Sequence, residues 1–278
     1  MKRMPLLAAC FFCLFIGICT TTAAQTAGLV AKSAATELKL VGLENPQREE
    51  AGRLMWDFVK IPAGEFDMGC SPNDRECDGA NDNERPRHRV RISKSFEIGK
   101  YEVTQAMWEL VMGPNPSHFK GADRPVENVG WSKAQEFLRR LNARHDGYHY
   151  RLPTEAEWGY AARAGSTTPH YGSLDSIAWC HDNSNRQTHP VGQRQPNAWG
   201  LYDVEGNVSE WVQDFYVEKY YSISPLVDPQ GPALGLGRVI RGGSFRDHGR
   251  SLRLSHRWFS SHGGVQELGF RCVRVAIP

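Results

Sequence analysis

The second half of this chain constrains its fold most, because it is rich in residues that end regular secondary structure. Beyond Gly165 the sequence is dominated by Gly, Asn, Pro, Ser and aromatic residues, which favour turns and loops. Only short apolar runs interrupt it, and they predict short strands at 239–240, 253–254 and 270–275. The eight tryptophans of the chain suit flat packing against loops with little regular structure of their own.

The first half shows clearer strand patterns. Residues 58–64 predict a strand that ends in a turn, and residues 66–68 predict the returning strand. Residues 87–92 alternate basic and less polar side chains, which is typical of a half-exposed strand with a solvated face.

Helical spacing is also confined to the first half. Apolar residues at that spacing predict helices at 104–112, with Thr104 as the N-cap, and at 132–144. The pattern T-x-x-E at 154–157 is a capping box that opens a third helix, which stops at Gly165. A few helices among short strands and loops indicate one irregular α+β domain.

The N-terminus has the arrangement of a secretory signal peptide over residues 1–24. A short basic start precedes an apolar run at 5–18, which is too short for a comfortable membrane span. Small residues at 22–24 form the predicted cleavage site. A lipid anchor at Cys10 is the alternative, because Leu7 to Cys10 superficially fits a lipoprotein site, but the apolar run continues beyond it.

After this segment, residues 25–54 lack a clear period and are interpreted as a leader or linker. Residues 55–278 are long enough for one domain with a real core. Without Lys2 and Arg3 the formal net charge of +2 becomes zero, which gives no electrostatic case for nucleic acid or an anionic membrane as partner. No other apolar run could span a bilayer, and we expect an exported, periplasmic protein.

Four of the seven cysteines lie beyond the signal peptide, an even number in an exported chain. Cys70 and Cys77 bracket a short polar loop and are predicted to pair, which would stabilise the fold by about 2–3 kcal/mol in the chain-entropy model. Cys180 and Cys272 would then be left to pair with each other. Four cysteines allow three pairings, and two free buried thiols are the alternative. The oxidising compartment favours the disulfides.

A series of segments follows one order along the domain. They are IPAGEFDMG, ERPRHRV, YEVTQAMW, PVENVGW, YRLPTEAEWGYAARAG, HPVG, PNAWGLYDVEGNVSEW and finally RGGS with LGFRC. Together they resemble the formylglycine-generating enzyme, or sulfatase-modifying factor, family. The resemblance covers nearly the whole of residues 55–278 and implies a single irregular α+β domain, similar to an elaborated C-type lectin fold.

The resemblance also locates a pocket. Oxidase members of the family use two cysteines and a copper ion to convert a sulfatase cysteine to formylglycine, and the matching positions here are Asp247 and Leu252, which offer no thiol. Ser244 matches a serine beside the metal, although a serine after two glycines is also a good turn former. Ser209 and Ser251 replace a pocket tryptophan and a neighbouring tyrosine. These departures predict that copper–thiolate chemistry is absent, and with it the copper.

The segment DVEGNVSE at 203–210 resembles a calcium site of the family. Carried over by position, Asp203 and Glu210 would supply carboxylate oxygens, and Gly206 and Val208 would supply backbone carbonyls. Oxygen donors of this kind are what a hard cation requires. The alternative is a polar turn whose carboxylates cap nearby amides. We expect one calcium site.

Histidines are frequent near the same pocket. His248, His256 and His262, with Asp247 nearby, could form a transition-metal or acid–base site. Their spacing matches no metal motif, and exposed loop histidines are the alternative.

Two arginines and two glutamates are assigned structural roles. Arg257 and Arg271 are expected to brace the loop-rich core through buried pairs with carboxylates. Glu155 and Glu157 are expected to cap the helix that the T-x-x-E pattern begins.

These observations predict an exported binding or regulatory module whose cleft holds a peptide or a partner protein. One alternative is a metal-dependent oxidase that acts on a protein or peptide through Asp247 and His248. Another is an accessory protein of an envelope machine, such as a regulator of type VI secretion.

Overall fold

The computed structural model describes residues 57–72, 74–78, 82–261 and 265–277. The predicted signal peptide and leader lie outside these ranges, so both stay predictions. Among the residues that the structure describes, no helix has the length and hydrophobicity of a membrane span.

Short elements make up the domain. The described residues form ten strands: β1 (Phe58–Ile61), β2 (Gly64–Met68), β3 (His88–Ile92), β4 (Phe96–Gly99), β5 (Tyr148–Arg151), β6 (Ser209–Phe215), β7 (Arg238–Arg241), β8 (Trp258–Ser260), β9 (Leu268–Gly269) and β10 (Val273–Ala276). They also form six α-helices: α1 (Arg75–Asp78), α2 (Gln105–Met112), α3 (Trp131–Asn142), α4 (Glu155–Arg163), α5 (Leu174–Ile177) and α6 (Gly249–Leu252). The predicted mixture of few helices and short strands is confirmed.

The first sheet joins the two ends of the described domain. Its strands stand in the order β1-β4-β10-β5 and are antiparallel to their neighbours, so the last strand lies between two early ones. Asn142 at the end of α3 fastens the edge strand β5. Its side chain donates to the carbonyl of Tyr150 and accepts from the amide of the same residue.

Strands β2 and β3 form a separate two-stranded sheet. Arg89 and Arg91 on its exposed face both contact Glu65 across the ladder, at 3.1 and 2.6 Å, which confirms the predicted solvated strand face. The expected return of β2 onto β1 is wrong. β1 pairs with β4 instead, and β2 pairs with β3.

The third sheet has the order β8-β7-β6-β9 and includes one parallel pair, β6 with β9. β6 is buried along most of its length and has an irregular register between Trp211 and Phe215. No sequence pattern predicted this strand, although it is the longest one among the described residues.

The three principal helices confirm the periodic patterns. α2 and α3 begin within one residue of their predicted starts. α4 begins at the predicted capping box, in which the amide of Glu157 donates to Thr154 Oγ1 at 3.1 Å and the amide of Thr154 donates to Glu157 Oε2 at 2.9 Å. The chain then leaves the helix through Ala164, which has a left-handed φ of 45°.

Buried pairs of arginine and carboxylate connect the loops to this frame. Arg257 contacts Glu155 at 2.7 Å, and Arg271 contacts Glu210 at 2.6 Å, with each side chain at most 1% exposed. The bracing roles of both arginines are confirmed. The expected capping role of Glu155 is wrong, because its carboxylate faces Arg257 rather than the start of α4.

A third buried arginine overturns the predicted strand at 253–254. Arg253 follows the short helix α6 instead, and its guanidinium contacts Asp74 at 2.8 Å and Glu84 at 2.7 Å. These two carboxylates lie 179 and 169 positions earlier in the chain, so a pattern of neighbouring residues does not reveal the contacts.

Candidate functional site

The candidate site is built on the turn that follows β7. Gly242 and Gly243 have φ values of 89° and 67°, and a Cβ on Gly242 would lie 2.9 Å from the carbonyl oxygen of Val204, so the turn requires glycine. Ser244 is fully buried next to them. Its amide and its Oγ both donate to Asp247 Oδ2, at 2.9 and 2.7 Å. Asp247 therefore closes the turn as a hydrogen-bond acceptor.

Leu252 is a core residue. It lies at the end of α6, is fully buried, and packs with Ile177, Ala178 and Cys180 in a small apolar cluster. The position where the resemblance implies a second thiol therefore holds a packed hydrocarbon side chain.

An open cleft of about 530 Å³ lies beside the turn. It brings together five residues that were predicted to share a pocket: Ser209, Ser244, Asp247, Ser251 and His256. Sequence reasoning missed the other residues of the cleft, which include Ile240, Arg246, Trp258, Phe259, Glu267 and Leu268. The adjacent aromatic residues Trp258 and Phe259 on β8 were the one sequence feature that could have indicated the apolar wall.

The cleft combines a polar floor with an apolar wall. Burial, with smaller effects from neighbouring charges, lowers the pKa of His256 to about 4, so this imidazole is neutral near pH 7. Arg246 and Glu267 form an ion pair of 2.9 Å, with side chains 48% and 26% exposed. Trp258 is 47% exposed. Hydroxyl groups, a neutral imidazole and an exposed indole are suited to a ligand that offers both hydrogen bonds and apolar groups.

The structure does not place His248 among the residues of this cleft. Its Nδ1 lies 3.4 Å from Asp182 Oδ1, and its ring centroid lies 4.0 Å from that of His181. His262 lies outside the described residues. The predicted grouping of histidines around Asp247 is therefore replaced by a neutral His256 in the cleft and a separate His248.

The turn at 203–210, where calcium is predicted, is buried. Gly206 has a φ of 88°, and a Cβ there would lie 2.3 Å from the carbonyl oxygen of Trp179. Asp203 accepts a hydrogen bond from the amide of Gly192 through Oδ2 at 2.7 Å. Its buried Oδ1 has no hydrogen-bond partner. Burial raises the pKa of Asp203 to about 6.

The other predicted calcium carboxylate, Glu210, is already paired. Arg271 donates to it at 2.6 Å and Trp158 Nε1 donates at 2.8 Å. Arg271 also donates to the backbone carbonyl of Asp203 at 3.3 Å. Any cation at this turn would therefore share Glu210 with a guanidinium.

A third buried carboxylate, Glu102, was missed by sequence reasoning. It accepts hydrogen bonds from the amide of Val208 at 3.0 Å and from Asn207 Nδ2 at 2.7 Å. Burial, together with the charges of Asp203 and Glu210, raises its pKa. Its only signal was an acidic residue inside YEVTQAMW, about a hundred positions earlier. The buried turn thus holds more carboxylates than Arg271 alone can balance.

Of the two predicted disulfides, one is confirmed and one is wrong. Cys70 and Cys77 form a disulfide. The expected pairing of Cys180 with Cys272 is wrong, because both are free and buried in different apolar clusters. Burial raises the pKa of the Cys272 thiol to about 12, so it stays protonated and unreactive near neutral pH.

These features define a class of protein: an irregular α+β domain with a glycine-dependent turn, a cleft beside it and a buried acidic turn. The chain belongs to the sulfatase-modifying factor enzyme 1-like domain family, whose model matches residues 44–276. The predicted family is therefore confirmed.

Individual relatives agree with this assignment. The chain is 34% identical to the formylglycine-generating enzyme of Streptomyces coelicolor over 294 residues, covering 78% of this chain and 89% of that protein. It is 31% identical to the chaperone protein LppX of Paenibacillus barcinonensis over 234 residues, covering 64% and 80%.

Solved structures confirm the predicted α+β fold, an elaborated C-type-lectin-like architecture. PvdO from Pseudomonas aeruginosa is similar with a TM-score of 0.70 and 28% identity, covering 78% of this chain and 93% of that one. Treponema denticola variable protein 1 is similar with a TM-score of 0.69 and 31% identity, covering 78% and 94%. Because the named relatives include an enzyme and a chaperone, membership leaves the function to be argued from the site.

Proposed function

We propose that this protein is an exported binding module of its family, whose cleft holds a peptide or a segment of a partner protein. The main support for this proposal comes from Asp247 and Leu252, the two positions at which the family resemblance implies cysteines. Asp247 is engaged by the amide and hydroxyl of Ser244, and Leu252 is packed in an apolar cluster. The cleft beside them has a volume of about 530 Å³, and no cysteine among the described residues lines it.

Trp258 is the proposed anchor for the ligand. It lies on β8 at the edge of the third sheet, lines the cleft and is 47% exposed. A rigid indole at the mouth of a partly polar cleft supplies contact area at a small cost in conformational entropy, which is typical of residues that dominate binding to polypeptides. The ion pair of Arg246 and Glu267 adds polar contacts for a peptide backbone.

Selection of peptides on the mature protein tests this proposal. Peptides from a random library are selected on the wild type, and their affinities are compared with those for Trp258→Ala. We expect binding to weaken roughly tenfold or more. The matched control is Leu234→Ala, because Leu234 is an apolar residue with 79% exposure that does not line the cleft. Equal weakening by both substitutions, or by neither, contradicts the proposal.

A second assay addresses oxidation directly. The mature protein is incubated with copper, oxygen and a peptide that carries C-x-P-x-R, and the product is analysed by mass spectrometry. We expect the cysteine to stay unmodified, since the cleft offers no thiol to bind copper. Catalytic conversion to formylglycine contradicts the binding-module proposal.

The proposed location is the periplasm. The Cys70–Cys77 disulfide supports export, because disulfides persist in oxidising compartments. Cell fractionation with N-terminal sequencing tests it, with Gln25 expected as the first residue of the mature chain. A full-length, reduced chain in the cytoplasm contradicts it.

We also propose that the buried acidic turn holds one calcium ion. Asp203 Oδ1 is a buried carboxylate oxygen without a partner, and Gly206 and Val208 contribute carbonyls to the same turn. Oxygen donors with excess negative charge fit a hard cation. Bound calcium would supply positive charge that offsets the repulsion among the buried carboxylates.

The alternative of a metal-dependent oxidase acting through Asp247 and His248 has weaker support. The Asp247 carboxylate is used by Ser244, and His248 contacts Asp182 instead. Asp247 therefore lines the cleft, whereas the side chain of His248 makes its contact outside it.

A further inference from the structure

Two histidines and an aspartate meet at the surface outside the cleft. His181 Nδ1 lies 3.0 Å from Asp182 Oδ1, and His248 Nδ1 lies 3.4 Å from the same oxygen. One ligand atom from each of these three side chains lies within 4.8 Å of the other two. The second such group in the described part of the chain is Cys70, Cys77 and Glu84, whose cysteines are joined in a disulfide.

The fold holds the two contributing segments together. The amide of His181 donates to the carbonyl oxygen of Asp247 at 3.0 Å, which ties the loop after Cys180 to the residue that precedes His248. The loop itself is fixed by Asn183, whose Oδ1 accepts from the amide of Cys180 at 2.9 Å. Cys180 also packs against Leu252 in the apolar cluster below. The three side chains therefore project from a braced backbone.

We propose that His181, Asp182 and His248 bind a divalent first-row transition metal ion, such as Zn²⁺ or Cu²⁺. Imidazole nitrogen suits these ions, and one carboxylate adds negative charge. The group has too few oxygen donors for calcium or magnesium. Three protein ligands also leave coordination positions for water or an external ligand, which is the arrangement of catalytic rather than structural zinc sites.

Exposure makes this site reachable and separates it from the cleft. The side chains of His181, Asp182 and His248 are 34%, 65% and 67% exposed, so an ion from solvent can enter without opening the fold. None of the three lines the cleft. Exposed ion pairs contribute little to stability, so a metal ion bound between these ligand atoms could replace the contacts of His181 and His248 with Asp182 at small cost. The site does not depend on the proposed peptide-binding function.

Calorimetric titration of the metal-stripped mature protein tests the proposal. Zinc chloride is added in one series and copper chloride in another, with calcium present to occupy sites for hard cations. We expect one zinc ion to bind to the wild type, and His248→Ala to raise the Kd roughly tenfold or more. Cobalt(II) should give a visible ligand-field band in the wild type that His248→Ala loses.

The matched control is His149→Ala, which removes an exposed histidine on β5 and should leave the zinc Kd unchanged. Asp182→Asn provides a second variant with an exposed side chain, and it should also weaken zinc binding. Thermal melting checks that each variant is folded. Equal zinc affinity in the wild type, His248→Ala and Asp182→Asn would overturn the proposal, as would an equal loss in His149→Ala.

Discussion

Two turns of this molecule each carry an aspartate, and the two carboxylates differ in how many of their hydrogen bonds are made. Asp247 accepts two hydrogen bonds from Ser244 through one oxygen, beside an open cleft. Asp203 is fully buried with one oxygen unpartnered, and Glu102 and Glu210 lie close enough to interact with it. Asp247 therefore receives its hydrogen bonds from within its own turn, whereas one buried oxygen of Asp203 receives none.

This difference is the basis for the two separate roles proposed for the cleft and for the acidic turn. The satisfied turn forms a stable floor, so the neighbouring cleft can serve a ligand without a bound ion. The acidic turn concentrates negative charge around Arg271, and unbalanced buried charge destabilises a fold unless a cation offsets it. Calcium is therefore expected to matter for the stability of the protein, and the cleft for its interactions.

The largest expected effect comes from removing Arg271, the buried cation that pairs with Glu210 in the acidic turn. Arg271→Met should lower the free energy of unfolding by about 3–5 kcal/mol, because it leaves Glu210 buried and unpaired. Urea unfolding measures this change. The control is Arg89→Met, which breaks an exposed contact and should cost at most about 1 kcal/mol. Similar losses of unfolding free energy in both variants would show that Glu210 is not left as an unpaired buried charge when Arg271 is removed.

Calcium removal should have the next largest effect. At free calcium a hundredfold above its Kd, the expected stabilisation of the wild type is about 2.7 kcal/mol. Chelation should abolish this stabilisation and lower the Tm, and Asp203→Ala should abolish the response to calcium. Asp247→Ala should keep the response, because that turn needs no ion. Elemental analysis of wild type and Asp203→Ala checks the metal content, and a wild type without bound calcium would contradict the expectation.

Local sequence patterns predicted the parts of the fold that depend on near neighbours. The capping box at Thr154 and the disulfide between Cys70 and Cys77 each involve residues within one short segment. β6 was missed because its burial depends on Glu210 meeting Arg271, which is 61 positions away. Cys180 and Cys272 were paired by an argument from compartment and parity, but packing in separate clusters keeps them apart.

The candidate site was predictable to a similar degree. Ser209 and Ser251 were placed in one pocket with Ser244 through the family resemblance, and they do line the same cleft. The apolar wall and Glu102 were not found, because their positions follow from the pairing of distant strands and loops. The balance of buried charge around Arg271 could not be predicted either, because it depends on which carboxylates lie near this residue in the folded protein.

The pH dependence of stability should distinguish the two regions. His256 has a pKa of about 4 in the fold against 6.5 ordinarily, so the unfolded chain takes up a proton that the folded chain does not. Stability from this residue is complete above about pH 6.5 and falls as the pH falls towards 4, by on the order of 2 kcal/mol. Asp203, with a raised pKa of about 6, acts in the opposite sense, because its contribution falls as the pH rises from about 4 to 6.

Urea unfolding from pH 4 to 8 in calcium-free buffer measures both effects. His256→Gln should reduce the loss of stability on the acid side, to which His88 and His189 also contribute because burial lowers their pKa. Asp203→Asn should reduce the loss that accompanies rising pH, to which Glu102 and Asp214 also contribute because burial raises their pKa. If His256→Gln follows the wild-type profile at every pH, the imidazole is not protected from protonation by the cleft wall.

The smallest expected effect separates the two aspartates most directly. Asp247→Asn keeps an oxygen acceptor for Ser244 but loses the charge that strengthens both hydrogen bonds, so it should destabilise by about 1 kcal/mol. Asp203→Asn, measured without calcium near pH 7, removes a buried charge beside Glu102 and Glu210, and should be neutral or stabilising. Opposite signs for one chemical change would show that only the acidic turn carries uncompensated charge. If both variants were destabilised equally, Asp203 would be a hydrogen-bonding residue of the same kind as Asp247, and the argument for a cation at its turn would fail.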